Sequence, residues 1–295
     1  MGVMTVNWSQ AGLTGLGGLR DAIAALPLAG AVTVMVHGYR FDPDDPQRSP
    51  HNHILALRPR PGCWKAISWP RHLHLDRPDR LGIAFGWPAT GRLGPVAARA
   101  FRVGEGLAVL LGEIAKARPD LHVCLIAHSL GARVALRALQ LAPTHGVHHM
   151  ILLSGAEYRG HARTALASPA GRGAHVINVR STENLPFDLA FRASVVAPNL
   201  TSLPLSAGLA DAPNWTDLSL HCGHTRAALN RLGHRIPAPA TRFCHWSGYL
   251  RPGLFPLYRR LLDPSETRLI AALREAVTRT ARPANGGATT ALSPL

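Results

Sequence analysis

Short, unbroken apolar runs alternate along this chain with longer stretches in which apolar residues return every three or four positions. The first kind predicts strands covered on both faces, the second amphipathic helices. Strands are predicted at 31–36, 81–87, 123–127, 147–153, 174–179 and 215–220. Helices are predicted at 18–26, 95–117, 188–196, 225–232, 254–262 and 264–281, with another leaving the third strand and running to Leu141. In the second of these, Val96, Ala100, Val103, Leu107, Leu110 and Ile114 recur on one face. The last has Asp263 as N-cap, Pro264 at the first helical position and Glu266 three residues after the cap. Strands that alternate with helices predict an α/β fold, a mostly parallel central sheet with helices on both faces.

Two segments break this rhythm. Residues 40–80 are rich in proline, histidine and arginine and form a long excursion between the first two core strands, a candidate lid over a site. Residues 283–295 are small, polar and unpatterned and are expected to be a disordered tail. Nothing between them divides the chain, so 1–282 is expected to form a single domain.

One junction carries chemistry. Val123-Cys124-Leu125-Ile126-Ala127 runs into His128-Ser129-Leu130-Gly131, and an apolar-periodic helix follows at once. A strand that reverses into a helix within a few residues and holds one hydroxyl clear of the backbone needs small residues two places before and after that serine. Gly131 meets the second requirement, and Ala127 stands where glycine is commoner. Upstream, the first core strand ends in His37-Gly38-Tyr39, a loop suited to offering a backbone N–H to an oxyanion. Downstream of Val179, Glu183 and Asp188 supply the carboxylate that the chain order serine, acid, histidine requires; Glu183, nearer the strand end, is favoured, and Asp188 suits a helix N-cap. Three late histidines follow. His245, flanked by Phe243, Trp246 and Tyr249, is favoured over His224 and His221.

Composition narrows the partners. With 46% hydrophobic residues the chain can bury a sizeable core. The net charge of +15 comes from arginines scattered along the chain, which favours anionic partners through the field, but no nucleic-acid motif accompanies it. Cys63, Cys124, Cys222 and Cys244 show no paired spacing, and the pairs His51/His53 and His72/His74 have no carboxylate or cysteine at ligand spacing, so neither a disulfide framework nor a metal is expected. Residues 1–10 lack the features of a secretory leader, and the apolar stretch at 23–36 is too short to span a bilayer. A cytoplasmic location without integral membrane insertion is the expectation.

Together, His37-Gly38-Tyr39, Ala127-His128-Ser129-Leu130-Gly131, the acid after Val179 and the late histidine resemble the α/β-hydrolase superfamily, and the run from His128 to Val134 looks most like its bacterial esterase and lipase-like members. The resemblance covers about 31–249. It implies Ser129 as nucleophile, His245 as base, Glu183 or Asp188 as its orienting acid, and the amides of Tyr39 and Leu130 as an oxyanion hole. The implied activity is hydrolysis of a small-molecule ester or thioester through an acyl-enzyme, with no cofactor. The rival is a non-catalytic member of the fold that binds an anionic ligand or a partner, for which the positive charge and Ala127 speak.

Overall fold

β5 (His122–His128) is the middle of the molecule, and its side chains feed two cores. Val123, Leu125 and Ala127 enter one apolar layer, while Cys124 and Ile126 enter the other. A strand buried on both faces must be apolar throughout, which is why this one reads as a continuous run. In the computed structural model, which describes residues 2–197, 199, 201–209 and 212–281, β5 lies between β3 (Ala31–Val36) and β6 (His149–Leu153), parallel to both.

The sheet is completed by β1 (Val3–Ser9), β2 (Gly12–Thr14), β4 (Arg80–Gly86), β7 (His175–Arg180) and β8 (Trp215–Ser219). Its order is β2-β1-β4-β3-β5-β6-β7-β8. β2 pairs antiparallel with β1 and the other pairings are parallel. With helices on both faces, this is the α/β-hydrolase fold. After β3 the chain crosses to β4 on one side, and after β5 it crosses to β6 on the other. The crevice at the carboxyl ends of β3 and β5 is therefore the switch point at which open α/β sheets bind ligands. Register places Val36 beside Ala127 and Ala127 beside Leu152, so the three following loops leave the sheet at one height.

α3 (Leu93–Ala117) and α4 (Gly131–Leu141) cover the first layer. The 40–80 excursion is the β3–β4 crossover, and it covers the second. Ile54, Leu55, Trp69, Leu73 and Leu75 from it are buried there with residues of α10 (Leu254–Leu261) and α11 (Thr267–Ala281). Its short helix α2 (Trp69–His72) is capped by the Ser68 hydroxyl.

Three sequence expectations shift. The β1–β2 hairpin lies in a stretch where the apolar pattern predicts no element. The helix expected from Asp188 is α7 (Leu185–Ser194), with Pro186 in its first turn; Asp188 is not a cap but a buried residue of that turn. α11 starts at Thr267 rather than Pro264, because Asp263 pairs with Arg80 at 2.7 Å and Glu266 with Arg260 at 2.8 Å, holding 263–266 as a turn. The expected tail at 283–295 lies outside the described residues. Among those described, no helix is long and apolar enough to cross a membrane.

Candidate active site

Ser129 sits between β5 and α4 with φ +55°, a left-handed conformation that side-chain-bearing residues seldom adopt. The surroundings hold it there. Its amide donates to the Leu153 carbonyl at 3.0 Å, and its carbonyl accepts from Ala132 and Ala156, each at 3.0 Å. A Cβ on Gly131 would lie 2.6 Å from the His37 carbonyl oxygen and 2.8 Å from that of Val36. One on Gly38 would lie 2.6 Å from the Ser129 Cβ. Two loops from adjacent strands thus meet with no room for a methyl, which is the reason for glycine at both positions. Ala127 is fully buried in the α3–α4 layer, and its methyl is accommodated there.

His37 shapes the neighbouring loop. Its Nδ1–H donates to the Gly38 carbonyl at 2.9 Å, and its Nε2 accepts from the Trp87 amide at 3.0 Å. The Trp87 indole N–H donates back to the His37 carbonyl at 3.2 Å. Burial pushes the ring's pKa down to about 3, so it stays neutral and locked. Beyond it, the amides of Tyr39 and Leu130 meet no backbone carbonyl among the described residues.

His245 comes to the same end of the sheet. The His128 ring lies 4.6 Å from it, and His128 Nε2 donates to the His245 carbonyl at 3.0 Å. The Phe187 ring stacks on it at 4.5 Å and 19°, and Trp246 closes on Phe187 edge-on. Burial under these rings holds its pKa well below the usual histidine range, with the charge-repelling His128 and Lys65 adding to the effect. The orienting partner is Asn184. His245 Nδ1 lies 2.6 Å from Asn184 Oδ1, and Asn184 Nδ2 donates to Asp188 Oδ1 at 2.8 Å. An ionised Asp188 can only accept, so it turns the amide nitrogen toward itself and the amide oxygen toward the ring. The His245 proton is thereby fixed on Nδ1, and the Nε2 lone pair is free. Burial pushes the Asp188 pKa up to about 6, against hydrogen bonds from Ser206 and Asn184.

Neither expected carboxylate meets the ring. Glu183 is buried and turned away: it accepts from the Ser181 hydroxyl at 2.8 Å and is ion-paired with Arg251. Arg251 in turn donates to the Leu220 carbonyl at 2.9 Å. Asp188 stands one residue behind, reached only through Asn184. Sequence reasoning that looks for a carboxylate passes over Asn184; its signal is adjacency, in the same Glu-Asn-Leu-Pro run. Of the other histidines, His224 is exposed in the first turn of α8 (Gly223–Arg231), and His221 faces Arg180, Arg226, Arg251 and Glu183.

Around this end, Trp64, Leu185, Phe187, Leu189 and Phe243 are large apolar side chains left exposed. Trp64 packs edge-on against Trp246, and the Lys65 ammonium lies 3.6 Å from the centre of the Trp246 ring.

No family model and no curated protein matches the chain. Among solved structures it is similar to TT1662 from Thermus thermophilus, with 14% identity over 81% of this chain and 90% of that one and a TM-score of 0.35. It is also similar to the metagenomic carboxyl esterase MGS0156, with 14% identity over 54% and 53% of the two chains and a TM-score of 0.28. MenH from S. aureus matches with 10% identity over 83% and 94% and a TM-score of 0.32. The fold assignment rests on this chain's own strand order and on its left-handed serine turn.

Proposed function

We propose that the protein is a serine hydrolase that cleaves a small carboxylic ester or thioester through an acyl-enzyme. The observation that supports this reading is Ser129 held at positive φ next to His128, whose ring lies 4.6 Å from that of His245, a histidine held in turn by Asn184 and Asp188.

In the proposed reaction His245 Nε2 removes the Ser129 hydroxyl proton as Oγ attacks the substrate carbonyl carbon. The C=O π pair moves onto oxygen, and the Tyr39 and Leu130 amides receive the oxyanion. One such donor is typically worth about 2.7–4 kcal/mol of barrier. The C–O or C–S bond then breaks, and the leaving group takes the proton from His245. Water attacks the acyl-enzyme by the same route, returns Ser129 and releases the acid. The Asn184 oxygen holds Nδ1–H throughout and faces its amide dipole toward the transient imidazolium, with Asp188 behind it, in the role an asparagine takes in papain-like proteases. The exposed apolar residues flanking His245 favour an apolar acyl or alcohol group. The unpaired cysteines accord with a reducing, cytoplasmic setting.

The test is labelling by a fluorophosphonate, together with turnover of short-chain nitrophenyl esters, by the wild type and Ser129→Ala. Labelling and turnover confined to the wild type are expected. Equal labelling of both proteins would overturn the proposal.

A further inference from the structure

The opposite end of β5 carries a second group of reactive side chains. His122 and Cys124 are two residues apart on one strand, so they project from the same sheet face. Cys124 is the register partner of His149 on β6, which places all three together. One ligand atom from each lies within 4.8 Å of the other two, the single such group of His, Cys, Asp or Glu among the described residues. His122 Nε2 and His149 Nδ1 are 3.3 Å apart. The Cys124 thiol makes a long contact, 3.6 Å, to the Leu262 carbonyl and also meets the His149 backbone.

We propose that His122, Cys124 and His149 bind one borderline-soft divalent ion of the zinc class. Imidazole nitrogen with thiolate sulfur selects zinc or cobalt over the hard, oxygen-seeking magnesium and calcium. Two nitrogens bound to one tetrahedral zinc at about 2.0–2.1 Å lie about 3.3 Å apart, the separation already present between the two rings. Binding draws the sulfur in by up to about 1 Å, within the freedom of one side-chain rotation. The His149 ring also hydrogen-bonds the Leu261 backbone. A ring anchored to a carbonyl through one nitrogen presents the lone pair of the other, which is how ligand histidines are commonly oriented.

Access exists. A cleft of about 310 Å³ is lined by Thr33, Arg80, Leu262 and Asp263 among others. Thr33 is the register partner of Cys124 on the other side, and Leu262 is the carbonyl over its sulfur. Water fills the fourth coordination position. On binding, the Cys124 S–H proton passes to solvent and the thiolate forms the metal–sulfur bond. The Arg80 guanidinium and the Asp263 carboxylate, paired with each other at 2.7 Å, both act on His122 and Cys124. Five residue steps separate Cys124 from Ser129, about 17 Å at ~3.3 Å per step, so the ion takes no part at Ser129. It fastens the start of β5 to the start of β6.

The full chain, stripped with chelator and desalted, is titrated with Zn2+ or Co2+ alone. One equivalent per chain is expected, with a thiolate-to-cobalt charge-transfer band in the Co2+ form and a thermal midpoint that rises with Zn2+. Cys124→Ser abolishes the band. Because Cys124 is buried, His122→Gln at the half-buried strand start serves as a second variant, its folding checked by circular dichroism. His122→Gln and His149→Gln are expected to weaken Zn2+ binding about 100-fold or more, given that losing even a partner behind a ligand costs about 10–100-fold. Exposed His224→Gln leaves binding unchanged. Absence of stoichiometric uptake, a Co2+ form without the charge-transfer band, or equal uptake by folded His122→Gln would overturn the proposal, the last assigning the ion to other histidines among the 16.

Discussion

His245 Nδ1 lies 2.6 Å from Asn184 Oδ1, so the group that orients this imidazole is a neutral amide rather than a carboxylate. A neutral partner fixes the ring's tautomer as well as a charged one does, but it stabilises the imidazolium less. The charge it lacks stands one bond further on, at Asp188.

Replacing Asn184 by alanine is therefore expected to lower kcat by about 100-fold, the lower end of what a well-placed proton-transfer group contributes, with KM little changed. Asn184→Asp retains more activity than Asn184→Ala, because a carboxylate also accepts the Nδ1 proton. Its acid limb moves to higher pH, since the added charge favours imidazolium. Steady-state kinetics of both variants across pH decide this. An Asn184→Ala enzyme as active as the wild type removes Asn184 from the mechanism.

In the proposed reaction Phe187, stacked on His245, is expected to set where the acid limb falls. His245 must be neutral to act as base, and burial holds its pKa below the ordinary 6.5. The low-pH limb of kcat/KM is accordingly expected below pH 6.5. Phe187→Ala uncovers the ring, lets water solvate the imidazolium and raises the pKa toward its ordinary value, so the limb moves up in pH. A limb that stays in place in Phe187→Ala means that Phe187 does not desolvate the base.

How much of this is legible in the sequence follows from the range of the physics involved. The turn at Ser129 is local: a strand, a small residue, a serine and a glycine within five positions, and the structure gives steric grounds for the glycine. The six predicted strands emerge as β3 to β8; at β3, β4 and β5 burial on both faces demands the apolar runs that reveal them, whereas β8 carries Asp217 in its middle. The β1–β2 hairpin carries no such run; its signal is the alternation of Met4, Val6 and Trp8 toward one layer, which a search for unbroken runs passes over. His245 stands out by its aromatic neighbours, one of which, Trp246, helps to cover it. The partner of that ring is not legible, since Glu183 and Asn184 are adjacent, both buried in the short helix Thr182–Asn184, and only the folded chain decides which of them meets His245. Nor is the His122–Cys124–His149 group, whose members come from two strands joined only by register.

Gly131 tests the packing at the turn. Alanine there drives a methyl to 2.6 and 2.8 Å from two backbone oxygens, which cannot step aside as a side chain can. A loss of about 1–3 kcal/mol is expected, seen as a lower thermal midpoint. Gly160 provides the contrast: it lies in the first turn of α5 (Arg159–Ala167) with nothing within 4 Å of an added methyl, so Gly160→Ala is neutral or stabilising by about 0.5–1 kcal/mol. Equal melting of the two variants would count against steric crowding as the reason for glycine at 131.

Glu183 and Asn184 differ by one position, and the two residues are expected to fail differently. The Glu183 carboxylate is buried against Arg251, so Glu183→Gln leaves a guanidinium in the interior without its counter-charge. Breaking such a pair from one side typically costs about 3–5 kcal/mol. The double variant Glu183→Leu with Arg251→Met removes both charges and is expected to recover most of that loss, because two apolar residues need no desolvation. Activity per folded molecule separates structure from chemistry. An acid that orients the base costs about 10⁴-fold in kcat when replaced by its amide. Since the Glu183 side chain faces Arg251 rather than His245, folded Glu183→Gln should keep the wild-type pH profile and kcat. A 10⁴-fold fall in a fully folded sample would instead make Glu183 the orienting acid.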